Sequence, residues 1–357
     1  MKKPHTFNQF RKIGTIALAI AIGSFSYSCS EVTEEAPIDP SQQLEVTKVE
    51  LIKPQSELIR LKGKLVENIE DYQLDEASRG KGAAKNRFDI QLVFQDLGGF
   101  FPAPTEAQRA AFDLAIDRWE KVIIKDVPSI EAVGGDIPSA FFGFPPVVLE
   151  GGVIDDLLIE VVLAPIDGPG GTLGAAGPNF IRNVDNLTTT GFMFFDVADL
   201  ATLEAFELLD EVIVHEMGHV LGIGTLWDFN RELRKFNEDG FPYFDGRWGN
   251  QFWKNEGGTE FLPIQFIGGP GSALSHWDEL VLDNELMTGF LNLGDNPLSR
   301  ITAGSLRDMG YGTSAAAEKY DLPRGTAGVS ARVHGEHGID IANMEELRGP
   351  IGIIEVQ

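Results

Sequence analysis

Cysteine is almost absent, since Cys29 is the only one in 357 residues. The folded part of the chain therefore has no internal disulfide, and its stability outside a cell has to come from packing and bound metal. A cysteine-thiolate latency switch is excluded on the same ground. Positive charge is also scarce: 29 Lys and Arg face 54 Asp and Glu, for a formal net charge of -25. That balance makes nucleic acid and anionic membrane surfaces poor partners. It serves solubility first, and attraction of basic substrates or Ca2+ is the sharper alternative. No apolar run is long enough to span a bilayer comfortably, and no internal repeat is visible. The glycine-rich stretch Asp167-Gly168-Pro169-Gly170-Gly171 is not followed by Lys-Ser/Thr or a helix start, which excludes a phosphate cradle and leaves a turned surface loop.

What is present is enough apolar material for a sizeable core, with 43% hydrophobic and 10% aromatic residues. Residues 1–28 carry Lys2, Lys3, Arg11 and Lys12, no acidic residue, and the apolar run Ile13 to Ile22. That is the layout of a cleaved secretory leader, so the chain is expected to be exported. The run ends in Ser26-Tyr27-Ser28-Cys29, which predicts lipidation of Cys29 and a cell-envelope or cell-surface lipoprotein. Ser26 stands where such sites usually carry Leu, and an ordinary cleaved leader would give a secreted protein instead. Residues 29–87 then read as an acidic, Pro-containing spacer followed by a small module or propeptide, in which the runs Leu44 to Ile52 and Leu58 to Val66 could be strands.

A main domain over residues 88–313 is expected to open with the alternating strand Phe88 to Phe94. Thr105 and Gln108 form a capping-box signature, and Phe112, Ala115, Trp119 and Val122 recur at helical spacing, defining a buried face. Leu157 to Leu163 reads as a buried strand, and Gly191-Phe192-Met193-Phe194-Phe195 as a short aromatic one. Asp167, Asp196 and Asp199 are expected at turns and caps; calcium binding by them is conceivable but unsupported. Residues 314–357 form a C-terminal extension containing His334 and His337, which read as exposed loop residues.

The chemistry lies in Val212-Ile213-Val214-His215-Glu216-Met217-Gly218-His219-Val220-Leu221. In a helix, residues four apart share a face, so His215 and His219 point at one spot. Glu216 is displaced by about 100° around the helix and can reach a metal-bound water without ligating the metal. A zinc ion that keeps one position open for water needs a third protein ligand. His276, in Ser275-His276-Trp277-Asp278-Glu279, is the natural candidate among the remaining histidines.

These residues resemble the metzincins, and within them the leishmanolysin-like peptidases, over about Phe88 to Gly312. Gly222 occupies the glycine position of the extended motif, while Thr225 stands where most metzincins carry the third His. The leishmanolysin-like group inserts a long segment between the glycine and that ligand, and Ile223 to Ser275 corresponds to such an insertion. The resemblance implies that Gly222 terminates the active-site helix and that Asp283-Asn284-Glu285-Leu286-Met287-Thr288-Gly289 is a Met-turn, with Met287 as the floor of the metal site. It also implies an α+β fold: an upper lobe with a twisted mixed β-sheet, a backing helix and the active-site helix, and a mostly irregular lower lobe. A protein or peptide substrate would lie along an edge strand, to which Gly191, Phe192, Met193, Phe194 and Phe195 correspond.

The expected activity is thus a zinc-dependent endopeptidase with one catalytic Zn2+, ligated by His215, His219 and His276, and Glu216 as general base, in a monomer. The insertion's Trp227, Phe229, Phe241, Tyr243, Trp248 and Trp253 would shape its pocket. Three rivals remain open. A gluzincin-type enzyme would use Glu279 or Glu285 as third ligand, a non-catalytic zinc-containing surface protein would bind a polymer without needing a base, and a structural zinc site would require a fourth protein ligand.

Overall fold

The computed structural model describes residues 49–66, 87–229, 232–267, 273–322 and 338–357, all within one compact unit, Val46–Gln357. The leader, Cys29, the spacer, His334 and His337 lie outside the described residues. Among those described, no helix is long and apolar enough to cross a membrane.

The fold is mixed α and β, built on one large mixed sheet. In chain order its first half contains β1 (Ile59–Leu65), β2 (Ile90–Phe94), α1 (Glu106–Val122), β3 (Ile130–Val133), β4 (Val153–Ile154), β5 (Leu157–Ala164), β6 (Gly174–Arg182), β7 (Thr188–Asp196), α2 (Val197–Ala205) and α3 (Leu209–Leu221). After α3 the elements are short: β8 (Arg234–Phe236), β9 (Pro242–Phe244), α4 (Arg247–Asn255), β10 (Leu262–Pro263), α5 (Glu279–Leu282), β11 (Leu291–Asn292) and α6 (Arg300–Met309). The C-terminal stretch adds β12 (Gly338–Ile339), a 3-10 turn at Ile341–Asn343, β13 (Glu345–Leu347) and β14 (Gly352–Val356).

The main sheet runs β2-β5-β7-β6-β14-β1-β3-β4, with β13 also paired to β6. β2, β5 and β7 are parallel, β6 is antiparallel to β7, and both β13 and β14 run parallel to β6. Two predicted boundaries change as a result. The segment assigned to a spacer, module or propeptide supplies β1, which sits inside the sheet between β14 and β3. The C-terminal extension supplies β13 and β14, so residues 88–313 do not enclose the sheet by themselves.

Local chemistry explains the principal elements. Thr105 and Gln108 satisfy each other's backbone N–H groups at the start of α1, and Phe112, Ala115, Ile116, Trp119 and Val122 form its buried face. Every residue of β5 is buried. Its one carboxylate, Glu160, accepts hydrogen bonds from Gln95 Nε2 at 2.6 Å, Ser139 Oγ at 2.5 Å and Ala140 N at 2.9 Å. A buried carboxylate with three donors is tolerated where an unpaired one would not be. Asp196 caps α2 through Ala198 N and accepts the backbone N–H groups of Ile166, Asp167 and Gly168. Asp199 accepts from Gly170 N, and Asp167 from Thr172 N. These three acidic side chains therefore tie down the glycine-rich loop.

The aromatic run on β7 is not an edge strand, in contrast to the expectation from resemblance. It is bonded to β5 on one side and β6 on the other. Met193 and Phe195 enter the core shared with α1 and α3, whereas Phe192 and Phe194 pack with Phe141 on the opposite face. A strand apolar on both faces is the signature of an interior position, and that signal outweighs its place in the chain before the histidine-bearing helix.

Gly191 is where β7 meets α3. A Cβ there would lie 2.3 Å from Val220 Cγ1 and 3.1 Å from the Gly177 carbonyl oxygen. Gly191→Val should destabilise the fold by about 1–3 kcal/mol through overpacking. The valine's gain in strand propensity, at most about 1 kcal/mol, is too small to reverse that sign. A urea midpoint unchanged from wild type would show that α3 does not rest on this strand.

Candidate metal centre

Helix α3 carries His215, Glu216 and His219, and packs against α1 on one side and β6 and β7 on the other. Trp119 of α1 donates its indole N–H to the Val214 carbonyl at 2.9 Å, fixing the helix next to the first histidine. At the other end Gly222 adopts φ +115° and its N–H bonds back to Gly218 and His219. Only glycine takes this conformation without strain. A Cβ would also strike Met309 Cε at 2.4 Å. Thr225 does not approach the site as a ligand; its hydroxyl donates to the His219 carbonyl at 2.7 Å and helps close the helix end.

The third histidine arrives from the far end of the insertion. Its backbone is pinned by Gln265 N donating to the His276 carbonyl at 2.8 Å and by Trp277 N donating to the Met287 carbonyl at 3.0 Å. Trp277 is fully buried, stacks on Trp227 at 4.9 Å, and donates to Thr302 Oγ1. Gly224, with φ +75°, is the contact that lets this strand approach, because a Cβ there would sit 2.2 Å from the Ser275 carbonyl oxygen. Of the insertion's aromatic residues, Trp227 and Trp253 are buried in the core, whereas Phe229 and Phe241 are exposed.

The three rings converge. His215 Nε2 lies 3.0 Å from His219 Nε2 and 3.1 Å from His276 Nε2, and the remaining pair is 3.0 Å apart. All three residues are completely buried. His215 Nδ1 is 2.7 Å from the Leu286 carbonyl and His219 Nδ1 is 2.8 Å from the Ile223 carbonyl. A carbonyl only accepts, so each Nδ1 carries the proton and donates it, leaving Nε2 of a neutral ring as a bare lone pair. Burial, and then the charge of the other two rings, pushes His219 well below the ordinary histidine range, favouring that neutral form despite the opposing pull of Glu345.

Lone pairs facing one another at 3 Å in a dry site repel unless a cation sits among them. Nitrogens so spaced can all lie about 2.0–2.1 Å from one point, the usual Zn–N distance. The residues present thus fit a metal ion.

Met287 closes the floor. It is fully buried, and its Sδ would be only 2.6 Å from a Cβ placed on Gly218. The turn that carries it is held by Glu285, which accepts from Met287 N at 2.7 Å, Ser299 Oγ at 2.6 Å and Thr302 Oγ1 at 2.6 Å. The Leu286 carbonyl from the same turn orients His215. Neither Glu285 nor Glu279 belongs to the group of ligand atoms around the histidines. The gluzincin-type alternative loses its third ligand on that ground.

Glu216 is completely buried, and neither of its carboxylate oxygens has a hydrogen-bond partner among the described residues. Burial, and then the negative charge of Glu345, push its carboxyl well above the usual range.

Glu345 was not singled out in the sequence, where it is one of many acids in a tail with no spacing signal. The fold brings it from β13 to the metal centre. Its Oε1 lies 2.9 Å from His276 Nε2, and its Oε2 lies 3.6 Å from both His215 Nε2 and His219 Nε2. Its side chain is fully buried. The four residues form one potential metal-binding group. Three imidazoles and one carboxylate make a chemically sound zinc set.

No family model matches the chain, and no curated protein matches it.

Gly224 gives a test of how the third ligand is placed. Gly224→Ala should weaken Zn2+ or Co2+ affinity by about tenfold or more, as loss of a ligand's supporting contact commonly does. Gly257→Ala is the control, because Gly257 has a similar left-handed φ of +104° but no atom within 4 Å of its Cβ position. Chelator competition giving equal affinities for the two variants would remove Gly224 from the account.

Proposed function

We propose that the protein is a zinc-dependent endopeptidase that hydrolyses peptide bonds with Glu216 as general base. The observation that carries this reading is the convergence of three imidazole Nε2 atoms at 3.0–3.1 Å with a completely buried carboxyl group on the residue next to the first of them. Any metal-binding role would account for the histidines. A reaction that moves a proton gives a reason for keeping Glu216 in that position.

A bound zinc ion would supply Lewis acidity and a water acidified to a pKa of about 7. His215, His219 and His276 would hold the ion, the first two aligned by the Leu286 and Ile223 carbonyls. Glu216 would take the proton of the attacking water and pass it to the departing amine, so that the reaction needs no covalent intermediate. The leishmanolysin-like resemblance supports a protein or peptide substrate. Export and attachment through a lipidated Cys29 would place the enzyme in the cell envelope, acting as a monomer.

A structural zinc site is the second reading, favoured specifically by Glu345 as a fourth ligand. The two differ over Glu216. Glu216→Gln should retain one zinc per chain and lose cleavage of an unfolded protein substrate by about 10²–10⁴-fold. A chelator should abolish cleavage, and added zinc should restore it. The comparison is made with Glu345 intact and with Glu345→Ala, since that carboxylate lies at the metal. Zinc-loaded protein that cleaves nothing in either background, or that cleaves equally well without the Glu216 carboxylate, would end the assignment.

A further inference from the structure

The stretch from Gly338 to Leu347 crosses the metal centre as a strap. At its start β12 pairs with β11, just past the Met-turn, and Ala342 N donates to the Gly289 carbonyl at 3.0 Å. Ile341 is completely buried next to that turn. At its end β13 lies along β6, with Glu345, Glu346 and Leu347 opposite Gly174, Ala175 and Ala176. Leu173 N donates to the Met344 carbonyl at 2.6 Å and Arg348 N to the Ala176 carbonyl at 3.1 Å. Between these two attachments Glu345 turns its carboxylate onto the three Nε2 atoms.

Two consequences follow from the geometry. A tetrahedral ion held by three imidazoles has one position left, and a carboxylate 2.9 Å from one of those nitrogens is placed to take it. Hydrolysis requires that position for water. Main-chain groups of β6 that could bond an extended peptide are bonded instead to β13. His215, His219, His276 and Glu216 are all 0% exposed, so no peptide reaches them while the strap is in place.

We propose that residues 338–348 are a built-in inhibitor: Glu345 fills the coordination position that water needs, β13 fills the strand position that substrate needs, and activity requires both to withdraw. This rests on the metallopeptidase reading for what is inhibited, but the gate itself is a statement about access to the metal. The ligand exchange is simple: the Glu345 carboxylate leaves, and water takes its place.

Gly177 offers a way to loosen the strap without touching a metal-site residue. A Cβ there would lie 2.1 Å from the Arg348 carbonyl oxygen and 3.0 Å from its carbon, and a backbone obstacle cannot swing aside as a side chain does. Gly177→Ala should therefore push the end of β13 off β6.

The test uses the full chain loaded with Co2+, whose visible spectrum reports its ligands, and acetohydroxamate as a small probe that binds only where a metal position is open. Because the apparent affinity falls with the fraction of open molecules, Glu345→Ala and Gly177→Ala should each bind acetohydroxamate at least about tenfold more tightly than wild type. Glu345→Ala should also alter the Co2+ spectrum before the probe is added. If Glu345→Ala fails to retain Co2+, Gly177→Ala decides: tightened binding supports the strap. Affinity within twofold of wild type in the metal-loaded variants overturns it, as does loss of metal from Glu345→Ala with wild-type affinity in Gly177→Ala, which would make Glu345 a permanent structural ligand. Cleavage of an unfolded protein is measured alongside. Tighter probe binding with increased cleavage supports both readings. Tighter probe binding without cleavage keeps the gate and removes the peptidase.

Discussion

Three imidazole Nε2 atoms facing each other across 3.0–3.1 Å form an arrangement that is unfavourable by itself. The two carbonyls fix the protons of His215 and His219 on Nδ1, so in the neutral rings two of the three inward nitrogens present lone pairs. A cation converts that repulsion into attraction, and in doing so it couples regions far apart in the chain: α3, the end of the long insertion, and the Met-turn. Metal binding is then also folding free energy for these connections, which matters in a chain that has no disulfide to draw on.

Much of this centre was legible in the sequence because helical periodicity is a local property. The i and i+4 spacing of His215 and His219, the position of Glu216, and the glycine after the helix all depend on contacts within one or two turns. The capping box of α1 and its buried face were legible for the same reason. His276 could be reached only by elimination among few histidines, supported by resemblance. What places it are Gly224 against Ser275 and Trp277 in the core, contacts that no spacing rule encodes.

The features that local sequence does not show are all set by long-range strand pairing. The place of Gly191 to Phe195 in the chain matches the edge strand that the resemblance implies, although residues apolar on both faces call for an interior strand. The N- and C-terminal segments show no long periodic pattern to join them to the main domain, although the run Leu58 to Val66 does read as a strand and contains β1. Both supply strands of the main sheet, β1 and β14, and a parallel register between segments nearly 300 residues apart, such as Arg60 opposite Ile353, leaves no local trace. Glu345 was missed on the same account: its importance comes entirely from the register of β13 on β6.

That register also bears on how a strap could open without the fold coming apart. β14 is held on both sides, by β1 over five residues and by β6 over three, whereas β13 holds three residues against β6 alone. The segment between them, Arg348 to Ile351, contains Gly349 and Pro350, where no regular pairing continues. Local opening free energies in a protein range from near zero up to that of global unfolding, according to how many bonds and buried contacts each unit gives up. β13 gives up few main-chain bonds, and β14 would remain seated as its anchor. A bound ion coordinated by Glu345 would hold β13 more firmly than its length suggests, so the ion that the proposed hydrolysis needs would also keep its residues covered. An enzyme arranged this way stays closed while loaded and intact, and opens when something competes for that single ligand position or for the edge of β6.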